Sequence, residues 1–182
     1  MAEVAFALEH DYPAGLGALW LALGRREYVD SKYRALDGAP PRILRFHADA
    51  VTIDVELERI RAVVPAALPA WARGFAERAQ ALHQRSHWYR RGPQRAEAQL
   101  DVEPARLPLR AHCRGDVVER GPGCTHLAWR VRVRCDVPLV GAAAARLFAR
   151  ELRGALDADH AFTVDRLAAS GHHAAAAAAR QS

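Results

Sequence analysis

At roughly 100–200 residues per domain, a chain of 182 residues makes one domain, two at most. Its 26 basic and 21 acidic residues leave a formal charge of +5, and hydrophobic types make up 51%, which excludes disorder over the whole length. No run approaches the roughly 18 apolar residues of a membrane span, and MAEVAFALEHDYPAG has neither the cationic lead nor the apolar stretch of a secretory signal.

Lys32 is the one lysine among the 26 basic residues; the rest are arginines scattered among acids. That pattern fits a GC-rich coding bias, so no nucleic-acid partner is expected from charge alone. The cysteines Cys113, Cys124 and Cys135 are odd in number, which suits reduced thiols in a cytoplasm better than a disulfide framework.

Residues 4–12 alternate, with Val4, Phe6, Leu8, His10 and Tyr12 on one side, and predict a half-buried strand ended by Pro13 and Gly15. LGALWLAL (16–23) predicts a short helix with Trp20 on its buried side and Gly24 as its stop. REYVDSKYRALDG predicts a second helix, with Tyr28, Tyr33 and Leu36 within reach of one face, closed by Gly38. RILRFHA and VTIDVELERI then form a hairpin about Asp49. Leu44 and Phe46 are expected on one face of the first strand. Val51, Ile53, Val55 and Leu57 are expected inward on the second.

Residues 65–82 read as helical or irregular, anchored by Trp71, Phe75 and Leu82. SHWYR and AEAQLDVE are short strands around Gly92-Pro93. A long hairpin follows about GPG at 121–123, its second strand carrying Leu127, Trp129, Val131, Val133, Cys135 and Val137 on one face. The longest helical pattern runs from about Ala142 to Ala169, with Phe148, Leu152, Ala155, Leu156 and Phe162 as its stripe. Residues 170–182 are expected as a flexible, Ala-rich tail outside a domain of residues 1–169.

The order is therefore strand, two helices, six strands, one long helix: an α+β fold. An antiparallel sheet with one apolar face must cover it, and the C-terminal helix is the only long amphipathic element available. About 20 residues at about 1.5 Å each span about 30 Å, enough to cross a curved sheet and leave a cavity beneath.

This order, with the strand-ending HDYPA, then Trp20, Tyr28, Lys32 and Trp88, and VPLVG at 137–141 leading into the last helix, resembles the START-like (SRPBCC) helix-grip superfamily. Within it the chain is most similar to a bacterial family of domains of unknown function. The resemblance covers about residues 3–168. The family's helix entry often continues to an acid, where this chain has Ala142 to Ala145. The resemblance implies a cavity for a small hydrophobic or amphipathic ligand, lipid-like or polyketide-like. It implies no cofactor and no integral membrane association; some members are cyclases.

The cavity wall is expected from Phe6, Leu8, Phe46, Val55, Trp88, Leu100, Trp129, Val131, Phe148, Leu152 and Phe162, with Trp20, Tyr33 and Cys113 beside them. The same residues also read as a solid core. His10, inward near the end of its strand, is the candidate acid/base should the protein be an enzyme of polyketide-cyclase or aldolase type, with Tyr12, Tyr33 and Arg90 as further polar groups.

No metal site is expected. His112 and Cys113 face opposite sides of a strand, no CxxC or HxxxH pair is present, and Cys113 should lie opposite Trp129. His172-His173 lies in the tail. Arg130, Arg132 and Arg134, with Arg110 and Arg114 alongside, form an outward basic ladder, which reads as a surface for phosphate or an anionic membrane or, in preference, as a face where Asp101 and Glu97 pair with Arg110 and Arg114 across strands.

Overall fold

The computed structural model describes residues 1–61 and 80–179, with side chains described as far as 170. Trp71 and Phe75 lie outside the described residues. The elements are β1 (Ala2–Tyr12), α1 (Leu16–Leu23), α2 (Arg26–Asp37), β2 (Arg42–Ala48), β3 (Thr52–Ile60), β4 (Ala81–Gly92), β5 (Arg95–Pro104), β6 (Leu109–Gly121), β7 (Cys124–Cys135) and α3 (Gly141–Ala179). Among the described residues no helix is long and apolar enough to cross a membrane.

The seven strands form one curved antiparallel sheet in the order β1-β7-β6-β5-β4-β3-β2. β1 and β2 are thus its two edges, and the gap between them is where the helices must sit. α3 packs chiefly on β1 and β7, while α2 meets β3 and α3. Gly38, at a φ of 79°, ends α2 in the left-handed region that glycine enters without steric cost, its N–H donating to the Arg34 carbonyl. Asp49 shapes the β2–β3 turn by accepting from the backbone N–H groups of Val51 and Thr52, each at 2.7 Å.

Side chains on the concave face line up in ranks across the strands. One rank runs Leu8, Trp129, Gly115, Ala98, Trp88, Ile53. Its two middle strands contribute no bulk, so the indoles on either side lean over Ala98 and Gly115 and meet edge to face at 6.3 Å. The next rank holds Phe6, Val131, Cys113, Leu100, Ser86, Val55 and Phe46.

Four sequence expectations require correction. A bulge between Ile43 and Arg45 turns Leu44 outward, so Ile43 shares the inner face with Phe46. Val51 sits in the turn and is exposed. Cys113 lies opposite Val131, and Trp129 opposite Gly115. Glu97 opposes Asp116 and Asp101 opposes His112, so neither acid faces the arginines expected for it. α3 runs as helix to Ala179, in keeping with alanine's helix propensity.

The inward position after Leu57 is Arg59, a buried arginine that alternation alone would class as core. It is paired with Asp37 at the end of α2, both side chains under a tenth exposed, and its guanidinium lies 4.7 Å from the centre of the Tyr33 ring. This clamp fixes the C-terminal end of α2 against β3.

Gly115 tests the packing of the central rank. A Cβ there would stand 2.7 Å from Leu127 Cδ1 and 3.0 Å from the Trp129 ring. Gly115→Ala is expected to destabilise the protein by about 1–3 kcal/mol through overpacking, measured by urea denaturation followed through tryptophan fluorescence.

Candidate functional site

Because α3 fills the β1–β7 half of the concave face, the space left over lies on the other half, between α2, α3 and strands β3 to β5. There the structure holds a cavity of about 70 Å³. Ile53, Val55, Leu57, Trp88, Leu100 and Trp129 line its sheet side; Leu23, Val29 and Leu156 close it from the helices. Its polar groups converge from four elements: His10 and Tyr12 at the end of β1, Tyr28, Lys32 and Tyr33 on α2, Gln84 and Ser86 on β4, and Asp159, His160 and Thr163 on α3.

Helical spacing explains the two helix contributions. Tyr28 and Lys32, like Val29 and Tyr33, are four apart on α2; Leu156, Asp159, His160 and Thr163 fall three, four and seven along one face of α3. The two faces are joined by polar contacts. Lys32 Nζ donates to Asp159 Oδ2 at 2.8 Å, and the hydroxyls of Tyr28 and Thr163 are 2.6 Å apart. Gln84 Nε2 donates to the Tyr33 hydroxyl.

Burial works to lower the Lys32 pKa, but the Asp159 carboxylate and the Tyr28 and Tyr33 oxygens outweigh it and hold the ammonium well above the ordinary lysine value. Its charge is also 5.2 and 4.8 Å from the centres of the Tyr28 and Tyr33 rings. An ammonium has three N–H donors, and Asp159 takes one. Burial, reinforced by Asp159, raises the Tyr12 hydroxyl far above its ordinary value, and burial likewise pushes Tyr28 up to about 12. Near neutral pH this cluster is therefore a set of hydrogen-bond donors around one neutralised cation.

Two imidazoles stand at the rim. His10 and His160 stack in parallel at 4.3 Å. His10 Nε2 is 2.9 Å from Asp157 Oδ1, and His160 Nε2 is 2.8 Å from the Asp11 carbonyl. Each acceptor requires a proton on Nε2, and Nδ1 of each ring has no hydrogen-bond partner among the described residues.

Of the wall residues expected from sequence, His10, Tyr33, Val55, Trp88, Leu100 and Trp129 line the cavity. Leu8, Cys113, Val131, Phe148 and Leu152 are core outside the cavity lining: Leu8 and Val131 on the strands that α3 covers, Cys113 beside Val131 on β6, and Phe148 and Leu152 on α3 itself. Phe6 lies at the β1 edge under the Arg153 guanidinium. Phe46 sits on edge strand β2. Trp20 donates its Nε1–H to the Asp49 carbonyl beneath the Arg90 guanidinium, and Phe162 packs against the outside of Tyr28. Tyr28 and Lys32 on α2 and Asp159, His160 and Thr163 on α3 are polar lining residues that the sequence did not bring into the site, although their i, i+4 spacing was available.

A family model described as "Protein of unknown function (DUF2505)" matches residues 7–167. No curated protein matches the sequence. Among solved structures, a protein from Thermus thermophilus is similar with a TM-score of 0.58 and 8% identity, covering 92% of this chain and 99% of that one. The Zhui aromatase/cyclase from Streptomyces is similar with a TM-score of 0.55 and 11% identity, covering 91% and 93%. A START superfamily protein from Mycobacterium smegmatis gives 0.50 and 14%, covering 92% and 99%. At these identities the likeness shows the fold alone: START-like, a helix gripped by a curved sheet.

The buried acids make the fold sensitive to alkali. Tyr28 and Cys113 are each pushed up to about 12 by burial, from ordinary values of 10.0 and 9.0. The unfolded chain thus releases these protons from about pH 9 upward while the folded chain keeps them. Stability is complete below pH 9 and is lost as pH rises towards 12. A falling melting temperature over that interval is the expected outcome of a calorimetric pH series, and Cys113→Ala should flatten its first part.

Proposed function

The chain belongs to the DUF2505 family, and from the chemistry of its cavity we propose that it binds a small amphipathic molecule carrying an uncharged oxygen, a carbonyl or a hydroxyl. The observation that carries this reading is Lys32, a buried ammonium whose charge Asp159 already balances and which has donors to spare. A carboxylate entering the site would add an uncompensated charge, whereas a carbonyl or hydroxyl accepts a hydrogen bond and adds none. Among hydrophobic ligands this favours polyketide-like molecules over fatty acids. The free thiols agree with a cytoplasmic setting.

Size sets a second condition. Ligand pockets for drug-sized molecules are roughly 300–1,000 Å³, and a water takes about 30 Å³. A cavity of about 70 Å³ is a closed form, to be opened by parting α2 from α3. The Lys32–Asp159 and Tyr28–Thr163 contacts between them are polar, so a ligand's oxygen can replace what the opening breaks.

The free Nδ1 atoms of His10 and His160 beside the Tyr12 and Lys32 donors favour a second reading, an enzyme of cyclase or aldolase type. An imidazole would take a proton next to a carbonyl, and the donors would stabilise the resulting oxyanion.

Calorimetric titration with 1-naphthol and 1-naphthoate tests the binding reading: the same rings, with a hydroxyl or a carboxylate. Naphthol is expected to bind, with naphthoate and the Lys32→Met variant weaker by about tenfold or more. Equal affinity for the two compounds, or naphthol binding untouched by Lys32→Met in a folded variant, would contradict it. In D2O, methyl-proton exchange of 1-acetylnaphthalene above the buffer rate, lost in His160→Gln, supports the enzyme reading; exchange at the buffer rate removes it.

A further inference from the structure

A larger groove is on the other side of the sheet. It has a volume of about 430 Å³ on the convex face, between β4, β5, β6 and β7, and its charged lining is Arg85, Arg110, Arg132 and Arg134 against Asp101 and Glu103.

The strand register makes this face unusual. Arg110 stands directly opposite Arg134, Arg114 opposite Arg130, and His112 opposite Arg132. Like charges placed directly across two strands destabilise a sheet, so the two arginine pairs, Arg110–Arg134 and Arg114–Arg130, call for compensating anions. The protein supplies it only in part. Arg134 is paired with Glu3 and Arg130 with Asp116. Arg114 Nε donates to His112 Nε2 at 3.1 Å, and His112 is bonded through Nδ1 to Asp101 at 2.6 Å. This engages Asp101 and keeps it from the arginines. The side chains of Arg110 and Arg132, both exposed, make no hydrogen bond or ion pair among the described residues. Glu103 also lines the groove, with no ion pair among the described residues.

We infer that the groove around Arg110, Arg132 and Arg134 binds a phosphate group. Neighbouring strands are about 4.8 Å apart and alternate residues of one strand about 6.7 Å apart. Arg110 and Arg132 therefore approach one phosphate from two strands, and planar guanidiniums suit its oxygens better than ammonium groups do. The lowered Glu3 carboxyl, held down by its bond to Arg134 and further by the charge of Arg132, marks the positive potential at this edge. The groove's lining includes no Phe, Tyr or Trp on which a base could stack, which favours a phosphorylated small molecule or headgroup over a nucleic acid.

The test uses pyrophosphate as probe, titrated calorimetrically into the full chain in 50 mM NaCl. Arg110→Gln/Arg132→Gln removes the two unpaired arginines. Arg42→Gln/Arg45→Gln removes the same charge from edge strand β2 on the far side of the sheet. The expected result is measurable binding, weakened about tenfold or more by the first pair and less than about twofold by the second. No binding at this salt, or equal loss in both variants, overturns the inference. Sedimentation with vesicles of phosphatidic acid in phosphatidylcholine separates the sources. Pyrophosphate binding without vesicle binding assigns a soluble phosphorylated compound; binding to both, each lost in the Arg110/Arg132 variant, assigns a lipid headgroup.

Discussion

The contact of Trp88 with Trp129 over Ala98 and Gly115 governs the interior. Two indoles three strands apart can meet only if the strands between them carry almost nothing at that rank and the sheet curves towards the helices. Small residues in the middle and large ones at the sides thus set the depth of the concave face and the floor of the cavity. α3, packed on β1 and β7, fills one half, and the other half remains for α2 to close.

How α2 closes it determines the chemistry. Apolar side chains could have sealed the seam between α2 and α3. The seam instead holds Lys32–Asp159 and Tyr28–Thr163, with Arg59–Asp37 anchoring the end of α2. Replacing buried ion pairs by packed hydrophobic residues is often neutral or stabilising, so stability alone does not account for their presence. A polar seam exchanges partners with an incoming oxygen, and that links this packing choice to ligand binding. On the convex face, Arg110 stands across from Arg134, and neither Arg110 nor Arg132 has an ion pair among the described residues, a second place where the arrangement sacrifices stability.

Period-two alternation revealed the strands and the face each residue shows, because one face is buried and the other solvated along nearly every strand. Order and helix length carried the architecture. Register was less accessible: the bulge at Ile43/Arg45 turns Leu44 outward, the turn around GPG sets Cys113 opposite Val131, and the connection from β5 to β6 moves the partners expected for Glu97 and Asp101 by two residues. The cavity itself was half legible. Trp88, Trp129, Val55 and Leu100 follow from alternation, but which half of the sheet stays uncovered depends on where α3 lies, a matter of packing between distant segments. Lys32, one of several charges on α2, acquires meaning in the cavity only once Asp159, 127 residues away, is beside it.

Because Lys32 is the only lysine, protein labelled with ¹⁵N-lysine carries a single side-chain ammonium signal, which reports directly on the buried cation. The account predicts an ammonium protected from solvent exchange, still protonated above pH 10.5, whose signal moves when 1-naphthol is added. A rapidly exchanging amine that titrates at 10.5 and ignores naphthol would contradict it.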